Sequence, residues 1–242
     1  MQIDHNQNYH AETQTIEQVD TVRTFMRSVF SWMFLALSVT AVTAFFVANN
    51  AGLQQALWDQ NTGMKTLGWI VTLSPLAFVL IMSGGFHRFS FGTLSLLFMI
   101  YAVLVGMSLS FILLVFTETS IFTTFVVTAG TFGLMAFMGY TTKTDLTKFG
   151  SIMMMGLFGI IIASVVNFFM HSSSLQYIIS FVGVLVFTGL TAYDVQKLKR
   201  IALGQQYGQS TMGKLVIMGA LNLYLDFINL FLFLLRFLGD RK

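Results

Sequence analysis

Long apolar runs separated by short polar connections make up most of the chain. Seven such runs lie at 28–48, 67–83, 91–116, 119–140, 149–170, 174–196 and 215–237. A helix crosses a bilayer with about 17 to 25 mainly apolar residues, and each run has that length. The pattern therefore predicts an all-α integral membrane protein with seven transmembrane helices.

The first 27 residues are polar and differ from the rest of the chain. They lack the short apolar segment and small-residue cleavage site of a signal peptide. We expect a polar cytoplasmic tail over 1–27 that leads into an interfacial helix, and one seven-helix transmembrane domain over 28–242. Seven spans place the two termini on opposite sides. A re-entrant last segment, with both termini inside, is the alternative.

Composition excludes several functional classes. Hydrophobic residues make up 55% of the chain and charged residues 10%, against about 25% charged residues in a soluble domain. Cysteine is absent, which excludes disulfides, thiolate metal sites and a cysteine nucleophile. The basic residues lie between apolar runs, so we expect the lipid bilayer and not nucleic acid as the partner. A monomer is the default oligomeric state.

Lysine and arginine are divided unevenly between the two ends of the predicted helices. Nine lie in the tail and in the second, fourth and sixth connections: Arg23, Arg27, Arg88, Lys143, Lys148, Lys197, Lys199, Arg200 and Lys214. Four lie at the other ends: Lys65, Arg236, Arg241 and Lys242. The positive-inside rule then places the N-terminus in the cytoplasm. We expect a bacterial-type plasma (inner) membrane, with an organelle membrane as the alternative.

Only two acidic residues, Asp194 and Asp226, fall inside the apolar runs. A carboxylate in hydrocarbon is costly, so each one marks a candidate functional site. Polar or small residues recur with each aspartate at helical spacing: Thr188 and Thr191 before Asp194, and Gly219, Asn222 and Asn229 around Asp226. Each set forms one face of its helix, and two adjacent antiparallel helices can bring the faces together.

The depths of the two aspartates differ in the predicted spans. Asp194 lies three residues before Lys197, whereas Asp226 lies about eleven residues into its run, a mismatch of about 12 Å at 1.5 Å per residue. The carboxyl groups would meet only if residues 197–202 continue the sixth helix within the protein, if helices tilt, or if an aqueous funnel enters the bundle.

Two chemistries are open to such a pair. At about 4 Å and an effective dielectric near 20, two carboxylates repel by about 4 kcal/mol, so the pair would hold one proton near neutrality and could sense pH. With both groups ionised, Asp194 and Asp226 would be a hard oxygen site for calcium, with Asn222, Asn229 and main-chain carbonyls as further candidate ligands. Alternatively, each aspartate bonds a neighbouring tyrosine, asparagine or threonine and only holds helices together.

Two segments carry a family resemblance. Gly189-Leu-Thr-Ala-Tyr-Asp194-Val-Gln196 and Leu223-Tyr-Leu-Asp226-Phe-Ile-Asn229-Leu-Phe resemble the transmembrane Bax inhibitor motif family. The resemblance implies two three-helix layers around a central C-terminal helix and a di-aspartyl pH sensor at Asp194 and Asp226. The family's bacterial calcium-leak members also imply that Arg88 latches onto Asp194. A topology charge is the other interpretation of Arg88.

The leading functional hypothesis is a pH-regulated passive calcium leak channel gated by the aspartate pair, with calcium and protons as partners and no tightly bound cofactor. The alternative is a regulator that binds another membrane protein, such as a quality-control protease, without transport. We predict no enzyme activity. Asp226 lies in Tyr-Leu-Asp-Phe and not in the Gly-x-Gly-Asp of intramembrane aspartyl proteases, and the only proline is Pro75.

Overall fold

A computed structural model describes residues 3–59, 63–204 and 209–242. Its helices are α1 (Ile3–Ala48), α2 (Ala51–Leu57), α3 (Thr66–Gly84), α4 (Phe91–Val115), α5 (Glu118–Thr141), α6 (Thr147–Met170), α7 (Ser173–Leu203) and α8 (Gln209–Leu238). A two-stranded antiparallel hairpin of β1 (Trp58–Asp59) and β2 (Gly63–Met64) follows α2.

The seven predicted spanning helices are confirmed. Within the described ranges, α1 from Gln18 onward, α3 to α7, and α8 from Thr211 onward are each long and apolar enough to cross a membrane. The protein is therefore an all-α integral membrane protein. The short helix α2 and the hairpin, which lie between the first two spans, were not predicted.

Helix α1 enters the core earlier than the apolar pattern indicates. It runs without a break across residue 27, and Val22, Phe25 and Met26 are buried in the main core. Apolar side chains at 22, 25 and 26 recur at helical spacing and so face the bundle although the surrounding sequence is polar. The division into a 1–27 tail and a 28–242 domain remains a prediction about which residues lie in the cytoplasm.

The spanning helices form two layers around α8. Helices α1, α3 and α4 pack as one layer and α5, α6 and α7 as the other, while α8 contacts α1, α4, α5 and α7. In the most apolar stretch of α8, 61% of the residues are buried inside the protein, whereas in the corresponding stretch of α6 only 6% are buried. The central helix is therefore the last one, as the resemblance implies.

The first layer is joined to α8 by a small buried hydrogen-bond network. The Thr40 hydroxyl donates to the Ala102 carbonyl over 2.9 Å and lies 2.7 Å from the Tyr224 hydroxyl. Since the only hydroxyl hydrogen of Thr40 is used, Tyr224 is the donor in the second bond. Gly106 permits this approach of α1 to α4, because a Cβ there would lie 2.6 Å from the Thr40 carbonyl oxygen.

Helix α8 extends along the full length of α4. At its first end, the Lys214 ammonium donates to the Phe86 carbonyl in the α3–α4 turn. At its other end, the Asp240 amide donates to the Ser120 hydroxyl beside the α4–α5 connection. These contacts lie at opposite ends of the 25-residue helix α4, about 37 Å apart. The re-entrant alternative for the last helix is therefore wrong.

Candidate functional site

Helix α7 continues past the predicted end of its span at residue 196. It ends at Leu203, and Leu198 and Ala202 are buried in the core. The basic residues that interrupt the apolar run therefore lie on a helix that is still packed against protein. This is one of the conditions under which the two aspartates can reach the same depth.

Contacts on either side of the aspartates fix the register of α7 against α8. The rings of Phe187 and Phe233 stack with centroids 5.7 Å apart. A Cβ on Gly219 would lie 2.6 Å from Leu198 Cδ2. In two antiparallel helices, each step forward along one helix is matched by a step back along the other. Counting inward from these two contacts therefore brings Asp194 of α7 opposite Asp226 of α8.

Asp194 on α7 and Asp226 on α8 lie close enough for their carboxyl groups to interact across the two helices. Asp226 is 5% exposed, and its Oδ2 atom has no hydrogen-bond partner among the described residues. Two ionised carboxylates have no hydrogen to share, so a proton on one of them is what makes this contact favourable. The arrangement is that of two facing acidic groups on neighbouring helices, and a shared proton between them remains a prediction.

The two members of the pair have different surroundings. Asp226 is enclosed by protein, whereas Asp194 is half-buried and is attracted by the charge of Lys197, which is exposed three residues further along α7. Asp194 is therefore the member closer to water and to mobile ions.

The remaining predicted site residues are not all gathered at the pair. Asn229 donates to the Leu225 carbonyl of its own helix over 2.8 Å, and Asn222 is half-buried on the same helix face as Asp226. Arg88 lies exposed in the α3–α4 turn, and within the described ranges its side chain makes no ion pair. The Arg88–Asp194 contact is therefore not formed in this packing.

The acidic and histidine side chains offer calcium few ligands. No group of three or more histidine, cysteine, aspartate or glutamate residues in the described part of the chain could hold a metal ion. Calcium takes six to eight oxygen ligands, so Asp194 and Asp226 would need amide, main-chain and water oxygens to complete a site. A bound calcium at the pair remains a prediction.

Sequence reasoning missed the role of Gln196. This residue is only 6% exposed, and its amide bonds the α5–α6 connection, residues 142–146, through Thr144 and Leu146. The available signal was its place in the motif that contains Asp194.

The α5–α6 connection also carries an exposed ion pair. Asp145 Oδ1 lies 2.7 Å from an Arg200 guanidinium nitrogen and accepts a hydrogen bond from the Thr147 amide over 2.8 Å. Hydrogen bonds from Thr147 and Arg200 hold the pKa of Asp145 well below its usual range. Asp145 therefore stays ionised at every pH near neutrality.

The fold and the pair together define a class: seven-span, all-α integral membrane proteins with a carboxyl pair between the last two helices. The family profile described as "Inhibitor of apoptosis-promoting Bax1" matches residues 22–242. The chain belongs to this Bax inhibitor family.

Curated relatives cover nearly the whole chain. The inner membrane protein YbhL of Escherichia coli is 45% identical over 224 residues, which span 91% of this chain and 93% of YbhL. An uncharacterized protein of Borreliella burgdorferi is 41% identical over 95% of this chain and 97% of its own length. Protein RP147 of Rickettsia prowazekii is 45% identical over 91% of both chains.

Proposed function

We propose that this protein is a pH-regulated passive leak pathway for calcium ions in a bacterial inner membrane, and that Asp194 and Asp226 form its gate. The observation that supports the proposal is the contact between the two carboxyl groups across α7 and α8. The name of the E. coli relative, an inner membrane protein, supports the location. No catalytic step is part of the proposal.

The gate works through the number of protons on the pair. With one proton, a hydrogen bond between the carboxyl groups holds α7 against α8 and closes the path. With none, the carboxylates repel by about 4 kcal/mol at 4 Å and an effective dielectric near 20. With two protons, both carboxyl groups are neutral, and no charged carboxylate remains to accept the shared proton. Protonation thus selects between packings of the same helices.

Calcium enters the scheme as the transported ion. A path that opens beside Asp194 offers carboxyl oxygens, and oxygen ligands are what a hard divalent cation prefers. Protonated carboxyl groups bind such an ion only weakly, which suits conduction, because an ion must be able to leave as well as enter. In line with the family resemblance, we expect acidification on the side of the Lys197 end of α7 to raise the leak.

The test is calcium flux into liposomes that contain the purified protein, measured from about pH 5 to 8. The parent chain is compared with Asp226→Asn, and Asp20→Asn is the matched control because Asp20 is exposed on α1. We expect flux that changes with pH in the parent and in the control but not in Asp226→Asn. A folded parent that passes no calcium at any pH would overturn the proposal and favour a regulator that binds another membrane protein.

A further inference from the structure

Two side chains near the end of α7, Gln196 and Arg200, bond the α5–α6 connection, and a third, Lys199, bonds the last turn of α5. The bonds are those from Gln196 Nε2 to the Thr144 carbonyl (2.8 Å), from the Leu146 amide to Gln196 Oε1 (2.8 Å), from Lys199 to the Tyr140 carbonyl (2.8 Å) and from Arg200 to Asp145, Thr147 and Gln196 (2.7, 3.0 and 2.8 Å). The connection is thereby fixed to α7 and not only to the helices that it joins.

Of the two side chains that bond the connection itself, Gln196 carries most of the constraint. Arg200 and Asp145 are 45% and 67% exposed, and exposed ion pairs contribute little because water and salt screen them. The amide of Gln196 is buried, and both its oxygen and its nitrogen are bonded to the connection. Separating a buried amide from its partners leaves polar groups unsatisfied, so this contact resists displacement.

Gln196 and Asp194 point in nearly opposite directions from α7. Two residues along an α-helix correspond to a rotation of about 200°, so Asp194 faces α8 while Gln196 faces the α5–α6 connection. The same segment of α7 is held from behind at two further points. The backbone at Ala192 lies against Gly139 of α5, and the Tyr193 ring lies against Gly150 of α6.

We propose that Gln196 is a positioning residue for the gate: by anchoring α7 to the α5–α6 connection, it holds Asp194 against Asp226. The predicted change in calcium flux rests on the proposed leak function, whereas the anchoring of α7 by Gln196 does not. Loss of the amide lets this segment of α7 move away from α8 and separates the carboxyl groups. The charged groups nearby, Lys197, Lys199, Arg200 and Asp145, remain in place when only the amide is removed.

The first arm of the test is a double-mutant cycle on calcium flux, at the pH where the parent is closed. We expect Gln196→Ala to raise the leak at least about fivefold, the factor that follows from losing a single net hydrogen bond. If Gln196 acts through the pair, this increase is absent in an Asp226→Asn background. The matched control is Gln176→Ala, the same substitution at an exposed position near the other end of α7.

Gln196→Glu covers the case in which the alanine variant fails to fold. A glutamate keeps an acceptor for the Leu146 amide and for Arg200 but loses the donor to Thr144, so its leak should fall between those of the parent and Gln196→Ala. A leak equal to the parent's in the folded variants, or an increase that persists unchanged with Asp226→Asn, would overturn the proposal.

The second arm needs no transport. The chain has no cysteine, so spin labels at Thr24→Cys on α1 and Leu203→Cys on α7, both exposed positions, report how the end of α7 lies relative to the first layer. We expect Gln196→Ala to lengthen or broaden the label distance and Gln176→Ala to leave it unchanged. If the parent proves to have no leak, a changed distance still supports the anchoring, and an unchanged one refutes it.

Discussion

Tyr224 of α8 donates a hydrogen bond to Thr40 of α1, and it does so only two residues before Asp226. The two α8 side chains point to nearly opposite sides of the helix, so α8 is tied to the first layer on one face and presents its carboxyl group to α7 on the other. Each aspartate of the pair thus has an anchor on the back of its own helix, Tyr224 for Asp226 and Gln196 for Asp194.

The Tyr224 anchor predicts a defined loss of stability. Tyr224→Phe removes the hydroxyl donor while Thr40 keeps its bond to Ala102, so we expect a loss of about 1 kcal/mol. In a chain of this size that corresponds to about 2–4 °C in the thermal unfolding midpoint, measured in detergent. Tyr177→Phe, at an exposed position, is the control. Equal losses in both variants would show that the bond to Thr40 contributes nothing.

Substitution by alanine should have opposite effects on stability at two glycines, Gly106 at the close contact of α1 with α4 and Gly130 on α5. Gly106→Ala places a Cβ 2.6 Å from the Thr40 carbonyl oxygen, so the helices must separate at a cost of about 1–3 kcal/mol. Gly130→Ala meets nothing within 4 Å and removes a flexible residue from a helix, which should stabilise by about 0.5–1 kcal/mol. Denaturant unfolding of both variants measures the difference, and a stable Gly106→Ala would contradict the packing described.

The exposed position of Arg88 leads to a prediction about a second arrangement of the helices. Among the residues that the structure describes, its side chain makes no ion pair with a carboxylate, so a latch onto Asp194 would belong to another arrangement of the same helices. We propose that Arg88→Ala raises the basal calcium leak at the pH where the parent is closed. Lys143→Ala, also exposed and at the same end of the bundle, is the control. The same leak in both variants would leave Arg88 as a topology charge.

The lowered pKa of Asp145 predicts in which direction the stability of the folded protein changes with pH. Its pKa is lowered in the folded state by Thr147 and Arg200, so the stability it contributes is fully present above the unfolded value of about 3.9 and is lost as pH falls through the folded value. The difference in unfolding midpoint between the parent and Asp145→Asn should be constant from pH 8 to 5 and shrink only below about pH 4. A difference that changes between pH 5 and 8 would contradict this.

The spanning helices could be predicted closely because a helix that crosses the hydrocarbon core of a bilayer must be a long and continuous run of mainly apolar residues. The third run, 91–116, corresponds to α4 at Phe91–Val115, where the Ser90 hydroxyl accepts a hydrogen bond from the Thr93 amide and caps the start of the helix. The hairpin of β1 and β2 could not be predicted, because strands of two residues leave no alternation to detect.

The candidate site could be predicted in its residues but not in its geometry. The cost of a carboxylate in hydrocarbon singles out Asp194 and Asp226 from sequence alone. Their common depth depends on α7 continuing past Lys197 to Leu203, and Asp145, which pairs with Arg200 on that continuation, is 55 residues away in the sequence. No local pattern encodes such contacts.

The central place of α8 has a consequence for biosynthesis. A ribosome makes this chain from the N-terminus, so the six outer spanning helices are made before the helix around which they pack. Until α8 arrives, Asp194 has no carboxyl partner, and the two layers have no common core. A nascent chain that stops before α8 therefore carries an intramembrane acid without the carboxyl group that faces it in the complete fold.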